Sequence, residues 1–131
     1  MPPEARRTQQ KDAIREAFAI EGRPLSPQEA LESAQARVPS LGIATVYRAI
    51  KRFLADGTLV AVELPGATTR YELAGLGHHH HFCCRQCDRV YDVEGCPPRV
   101  ADLTPDGFEL EAHEIVLHGI CSGCSLASAS T

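Results

Sequence analysis

Apolar residues recur at helical spacing through the first part of the chain. Ala13, Ile14, Ala17, Phe18 and Ile20 mark one helix, and Gly22 is a natural stop for it. Ser26, Pro27 and Glu29 then supply an N-cap, a first-turn proline and a capping box ahead of Ala30, Leu31 and Ala34. A third helix is predicted over "GIATVYRAIKRFLADG", buried through Ile43, Val46, Ile50, Phe53 and Leu54 and ended by Gly57. Its opposite face carries Thr45, Tyr47, Arg48, Lys51 and Arg52. After Gly57 the period changes, and "TLVAVELPGATTRYELA" reads as two short strands about a Pro-Gly turn. Three helices and a two-stranded ribbon are the layout of a winged helix-turn-helix.

The pattern changes again after Gly77. "FCCRQCDRVYDV" is β-like and interrupted by a Cys-x-x-Cys turn, and "PPRVADL" suits a short helix entered through Pro97 and Pro98. "GFELEAHEIVLHGICSGC" alternates as a strand into a second Cys-x-x-Cys. The small polar tail "SLASAST" is predicted to be disordered. The expected organisation is α+β: a winged-helix domain over 1–73, a hinge over 74–77, a small α/β domain over 78–124 and a tail over 125–131. No internal repeat is evident.

Length and composition narrow the classes. At 131 residues the chain is one domain or two very small ones. It has no long apolar run for a membrane span and no charged start leading into an apolar segment, so a cytoplasmic location is expected. Its six cysteines then point to metal or redox chemistry rather than to disulfides. The net charge of −4 argues against a nucleic-acid partner until it is divided. Up to Leu76 there are ten Lys/Arg against nine Asp/Glu, and from Gly77 three against eight. All six histidines and all six cysteines fall in the acidic part, so the two parts have different tasks.

Cys84-Arg-Gln-Cys87 and Cys121-Ser-Gly-Cys124 each place two thiolates on one tight turn. Two such turns close a tetrahedral sulfur shell around zinc, which leaves no open position and therefore acts as a structural staple. A dithiol–disulfide switch is the alternative. Just before the first pair lies the run His78-His79-His80-His81. Its internal position separates it from an affinity tag. On a strand His79 and His81 face one way and His78 and His80 the other, so one run can feed two metal sites.

"GIATVYRAIKRFLADG", "RYELA", "HHHHFCCRQC" and "AHEIVLHGICSGC" resemble, in order and spacing, the ferric uptake regulator superfamily, from about Thr8 to Cys124. That resemblance implies a homodimeric, metal-sensing repressor that binds double-stranded DNA, with the second domain serving dimerisation. It implies that Cys84, Cys87, Cys121 and Cys124 hold structural Zn2+. It also implies that Glu72, His79, His81 and Asp92 form a sensing site between the domains, taking Zn2+ or Fe2+/Mn2+. His78, His80 and His113 match a further site, with His80 where iron sensors usually have aspartate. Tyr47 and Arg48 match DNA-contacting positions.

Two departures qualify the match. Pro24 stands where iron and peroxide sensors have a histidine, and no cysteine precedes the histidine run as it often does in zinc sensors. The segment between Asp92 and His113 is also about three residues shorter than usual. It contains Cys96, which is inferred to join His78, His80 and His113 in a nitrogen- and sulfur-rich set suited to zinc; a small buried residue is the other reading. Cys83 receives no role, and His118 reads as packing or surface.

A helix-turn-helix would read the major groove with Thr45, Tyr47 and Arg48. Lys51, Arg52 and Arg70 are phosphate candidates, and Arg6 and Arg7 resemble an arm for an A·T-rich minor groove. Two rivals stay open here: a redox sensor on the same fold, and a zinc hydrolase using three histidines and an activated water. The hydrolase lacks an obvious general base and leaves the third helix unexplained.

Overall fold

A computed structural model describes residues 2–129, and the chain divides between Gly75 and Leu76 into two compact units. The first holds α1 (Pro3–Glu21), α2 (Pro27–Ala34), α3 (Ile43–Asp56), β1 (Leu59–Val62) and β2 (Arg70–Leu73). The second holds β3 (His80–Cys84), β4 (Val90–Val93), a 3₁₀ turn (Val100–Leu103), β5 (Val116–Gly119) and α4 (Ser122–Ala129).

In the first unit α1 buries Ala13, Ile14, Ala17 and Phe18 and stops at Gly22, whose left-handed φ of 61° only glycine adopts freely. It starts at Pro3, earlier than the apolar stripe. Arg6 and Arg7 therefore lie on its opening turns and not on an extended arm. The reason is local: a proline in the first turn has its φ already set, and Glu4 complements the helix dipole there. The α2 capping box forms as read, with Glu29 N–H donating to Ser26 Oγ (3.2 Å) and Ser26 N–H to Glu29 Oε1 (3.0 Å). Burial pushes the Glu29 carboxyl up, but the Ser26 amide and the Arg23 guanidinium together hold it below its usual value.

Along α3, Val46, Ala49, Ile50 and Phe53 are buried. Ile43 and Leu54, expected in that stripe, are each 38% exposed. At 100° per residue both sit well to one side of the Val46–Ile50–Phe53 axis, so they flank the core. Leu25 and Tyr71 exchange two backbone hydrogen bonds of 2.9 Å, which ties the helices to the antiparallel β1–β2 ribbon. Arg70, expected as a phosphate contact, is instead buried. It donates to Thr68 O (2.8 Å) and faces Glu29 (3.6 Å).

The second unit is built on a three-stranded sheet in the order β4–β3–β5, antiparallel between β3 and β4 and parallel between β3 and β5. Only part of the expected last strand forms. Pairing with β3 begins at His81↔Val116, with His81 N–H bonding Ile115 O, and because β3 itself starts at His80, residues 108–114 have no β3 residue beside them. The tail is not disordered as expected. Ser125 N–H bonds Cys121 O (2.8 Å), so the second cysteine turn winds directly into α4, with residues 130–131 lying outside the described residues.

Candidate metal centres and nucleic-acid interface

Four sulfurs converge where β3 ends and α4 begins. The Sγ atoms of Cys84, Cys87, Cys121 and Cys124 lie within 4.8 Å of one another, and Cys87 and Cys121 approach to 3.8 Å. The turn after β3 closes through Asp88 N–H to Cys84 O (3.0 Å), and the backbone amides of Cys87 and Cys121 point at Cys84 Sγ (3.5 and 3.3 Å). Those amides pull the Cys84 thiol down to about 6. Cys121 is lowered by the Cys124 amide and then by Tyr91, whereas the neighbouring Cys121 sulfur pushes Cys124 up to about 12. Such a set wants a cation to neutralise sulfurs that cannot all ionise together. A closed set of four sulfurs with N–H···S support fits tetrahedral zinc.

The histidine run divides by face. On one side His78 Nε2 and His80 Nε2 each lie 3.0 Å from Cys96 Sγ, and His113 Nε2 lies 3.3 Å from both Cys96 Sγ and His78 Nε2. His80 is 3% exposed, while His78 and Cys96 reach the surface. Burial, then the charges of His78 and His113, holds His80 below the usual histidine range. On the other side Asp92 Oδ1 lies 3.1 Å from His79 Nε2 and 3.4 Å from His81 Nε2, and Asp92 sits opposite His81 in the ladder. His79 Nδ1–H donates to Gly77 O (2.9 Å), which leaves its Nε2 lone pair directed at the cluster. Glu72, the remaining member of the expected sensing set, lies on β2 of the first unit, paired with Val60. Cys83 is half-buried opposite Val90 and His118, and His118 is at the surface.

The first unit carries the basic surface. Tyr47 is 57% exposed and Arg48 Nη2 donates to Thr45 Oγ1 (3.0 Å). Between α1 and α3 runs a cleft of about 510 Å³ whose cations are Arg7, Lys11, Arg48 and Arg52, with Thr8, Gln10 and Thr45 beside them. Sequence reasoning missed Thr8, Gln10 and Lys11. Their signal was helical spacing beside the apolar stripe of α1: Gln10 and Lys11 stand at i+3 and i+4 from Arg7, and Lys11 at i+3 from Thr8. Lys51 and Arg6 are exposed outside this cleft.

Residues 3–118 match the profile of the Ferric uptake regulator family. The chain belongs to that family. It is 34% identical over 107 residues to a ferric uptake regulation protein of Bordetella parapertussis, covering 78% of this chain and 76% of that one. A zinc-bound manganese uptake regulator superposes with a TM-score of 0.75 at 22% identity, over 86% of this chain and 87% of that one, which speaks for the fold. A zinc uptake regulator complexed with zinc and DNA superposes with a TM-score of 0.52 at 25% identity, over 92% and 83%. As a ferric uptake regulator family member the chain is a metal-dependent transcriptional regulator and not an enzyme. The hydrolase alternative is thereby removed. Among the described residues no helix is long and apolar enough to cross a membrane.

Proposed function

We propose that the chain is a homodimeric repressor of metal-homeostasis genes that binds its operator when a regulatory metal, preferentially zinc, is bound. The observation that carries this reading is the division of one histidine run into two separate donor clusters, beside a thiolate set with zinc chemistry. In this reading Cys84, Cys87, Cys121 and Cys124 keep a permanent zinc. His79, His81 and Asp92 hold the regulatory metal, and Glu72 is contributed from the winged-helix side. His78, His80, Cys96 and His113 are a further site, whose nitrogen and sulfur donors suit zinc better than iron(II) or manganese(II).

The coupling is differential affinity. A metal bound more tightly by one arrangement of the two units raises the population of that arrangement. Two recognition helices of a dimer then present Thr45, Tyr47 and Arg48 to successive major grooves, with Lys51 and Arg52 on phosphates. Arg6 and Arg7 stand on the opening turns of α1 and Arg70 in the interior, so this reading does not rest on an extended arm or on Arg70.

Duplexes selected from a random pool by the zinc-loaded dimer provide the test. Zinc is expected to raise affinity for them at least about tenfold over chelated protein, and His79→Ala to abolish that gain, since ligand loss removes metal affinity by about that factor or more. Equal binding with and without metal would sink the proposal. A larger gain with iron(II) or manganese(II) would reassign the effector.

A further inference from the structure

The two faces of the histidine run differ in the polarity of their hydrogen bonds to the backbone. His79 Nδ1 lies 2.9 Å from the Gly77 carbonyl, which can only accept, so Nδ1 carries a proton, and Nε2, 3.1 Å from the Asp92 carboxylate, is the nitrogen whose lone pair a metal between the two would take. His80 Nδ1 lies 3.0 Å from the Ile115 amide, which can only donate. Its Nδ1 lone pair is therefore used, and the neutral ring carries its proton on Nε2. That Nε2 faces Cys96 Sγ at 3.0 Å. A metal there would need the imidazole to lose its last proton, or Nδ1–H to point at another N–H. The ring has little room to turn: it is buried, and Ile115 is itself fixed by His81 N–H bonding to its carbonyl (3.2 Å).

We propose that His80 is a positioning residue, not a ligand, and that its Nε2–H donates to the Cys96 sulfur while His78, Cys96 and His113 alone hold the metal. The inference rests on the reading of this cluster as a metal site. His78 and His113 direct Nε2 at the same sulfur, and no backbone amide among the described contacts occupies their Nδ1 atoms. Three protein ligands leave a tetrahedral ion one position for water, a small anion or an exogenous thiol. The donated hydrogen bond withdraws charge from the thiolate and fixes its direction. A site so built is open and exchangeable, whereas the four-sulfur set is closed.

The experiment is heteronuclear NMR on the full chain with labelled histidines, loaded with a spin-half cadmium isotope as the metal probe. Scalar coupling to cadmium is expected at the ring nitrogens of His78 and His113 and at the β-protons of Cys96. None is expected at His80, whose Nε2 keeps its proton in the loaded protein. Coupling to either His80 nitrogen would overturn the inference and restore a four-ligand site. Absence of coupling at all four residues would overturn the metal reading of the cluster, and the inference with it.

Discussion

The two units stabilise themselves by different means. The first closes Ile14, Leu25, Val46, Ile50, Phe53 and Leu59 into one apolar cluster, with Tyr71 and Leu73 packed on it. Among the described residues of the second, the buried side chains are His80, Cys84 and Val90. One unit removes hydrocarbon from water, at about 25 cal/mol per Å². The other spends its interior on nitrogen and sulfur donors and has almost no such area to remove. Small domains of that kind depend on a metal for their folding free energy. In the proposed reading, the unit that carries the sensing residues is also the one whose order rests on the thiolate-bound zinc.

The comparison is broken most directly by taking away thiolate metal. Strong chelation, or Cys121→Ser, should collapse the amide dispersion of residues 76–129 while the first unit keeps its spectrum. Structural zinc in small zinc-dependent folds contributes about 10–16 kcal/mol, more than such a unit can lose. Simultaneous loss of both units would show that the separation is wrong. The converse cut is Phe53→Ala, expected to cost the first unit about 3–5 kcal/mol in urea unfolding with metal content unchanged.

Smaller changes sharpen the division of labour. Arg48→Ala should cost about 1–3 kcal/mol of binding to selected duplexes with zinc stoichiometry intact. Lys11→Ala should weaken all duplexes alike and flatten the log–log salt dependence by about one, if the α1–α3 cleft seats backbone phosphate. An unchanged slope would remove α1 from the interface. Ser26→Ala, which deletes one arm of the capping box, should lower the first unit's stability by about 1 kcal/mol.

The pH response should be gentlest. Burial depresses His81 more than the Asp92 carboxylate raises it, so the unfolded chain takes up that proton at higher pH than the folded one. Stability from this group is complete above its ordinary value of about 6.5 and declines as pH falls below it. Urea midpoints of the second unit at about pH 7.5 and about pH 5.5, in wild type and His81→Gln, measure it. A variant with the same pH dependence as wild type would assign the effect elsewhere.

Much of this was legible in one sequence because it is local. The capping box at Ser26, the stop at Gly22 and the two Cys-x-x-Cys turns depend on neighbours a few residues away and formed as read, as did the α3 stripe apart from Ile43 and Leu54 at its flank. Strand-like alternation separated His78 and His80 from His79 and His81 before any coordinates, and the two clusters form as expected although β3 itself begins only at His80. Where local evidence competed with distant packing, only the fold decided. Arg70 looked like a free wing cation and is buried against Glu29, 41 positions earlier in the chain. Arg7 and Lys11 became one wall of a basic cleft only when α1 met α3. Cys96 reached the histidine run through the antiparallel β3–β4 pairing, and His113 joined it through the parallel β3–β5 pairing, which no window of sequence contains. The same pairing placed the Ile115 amide on His80, so tertiary structure chose which lone pair that ring can offer.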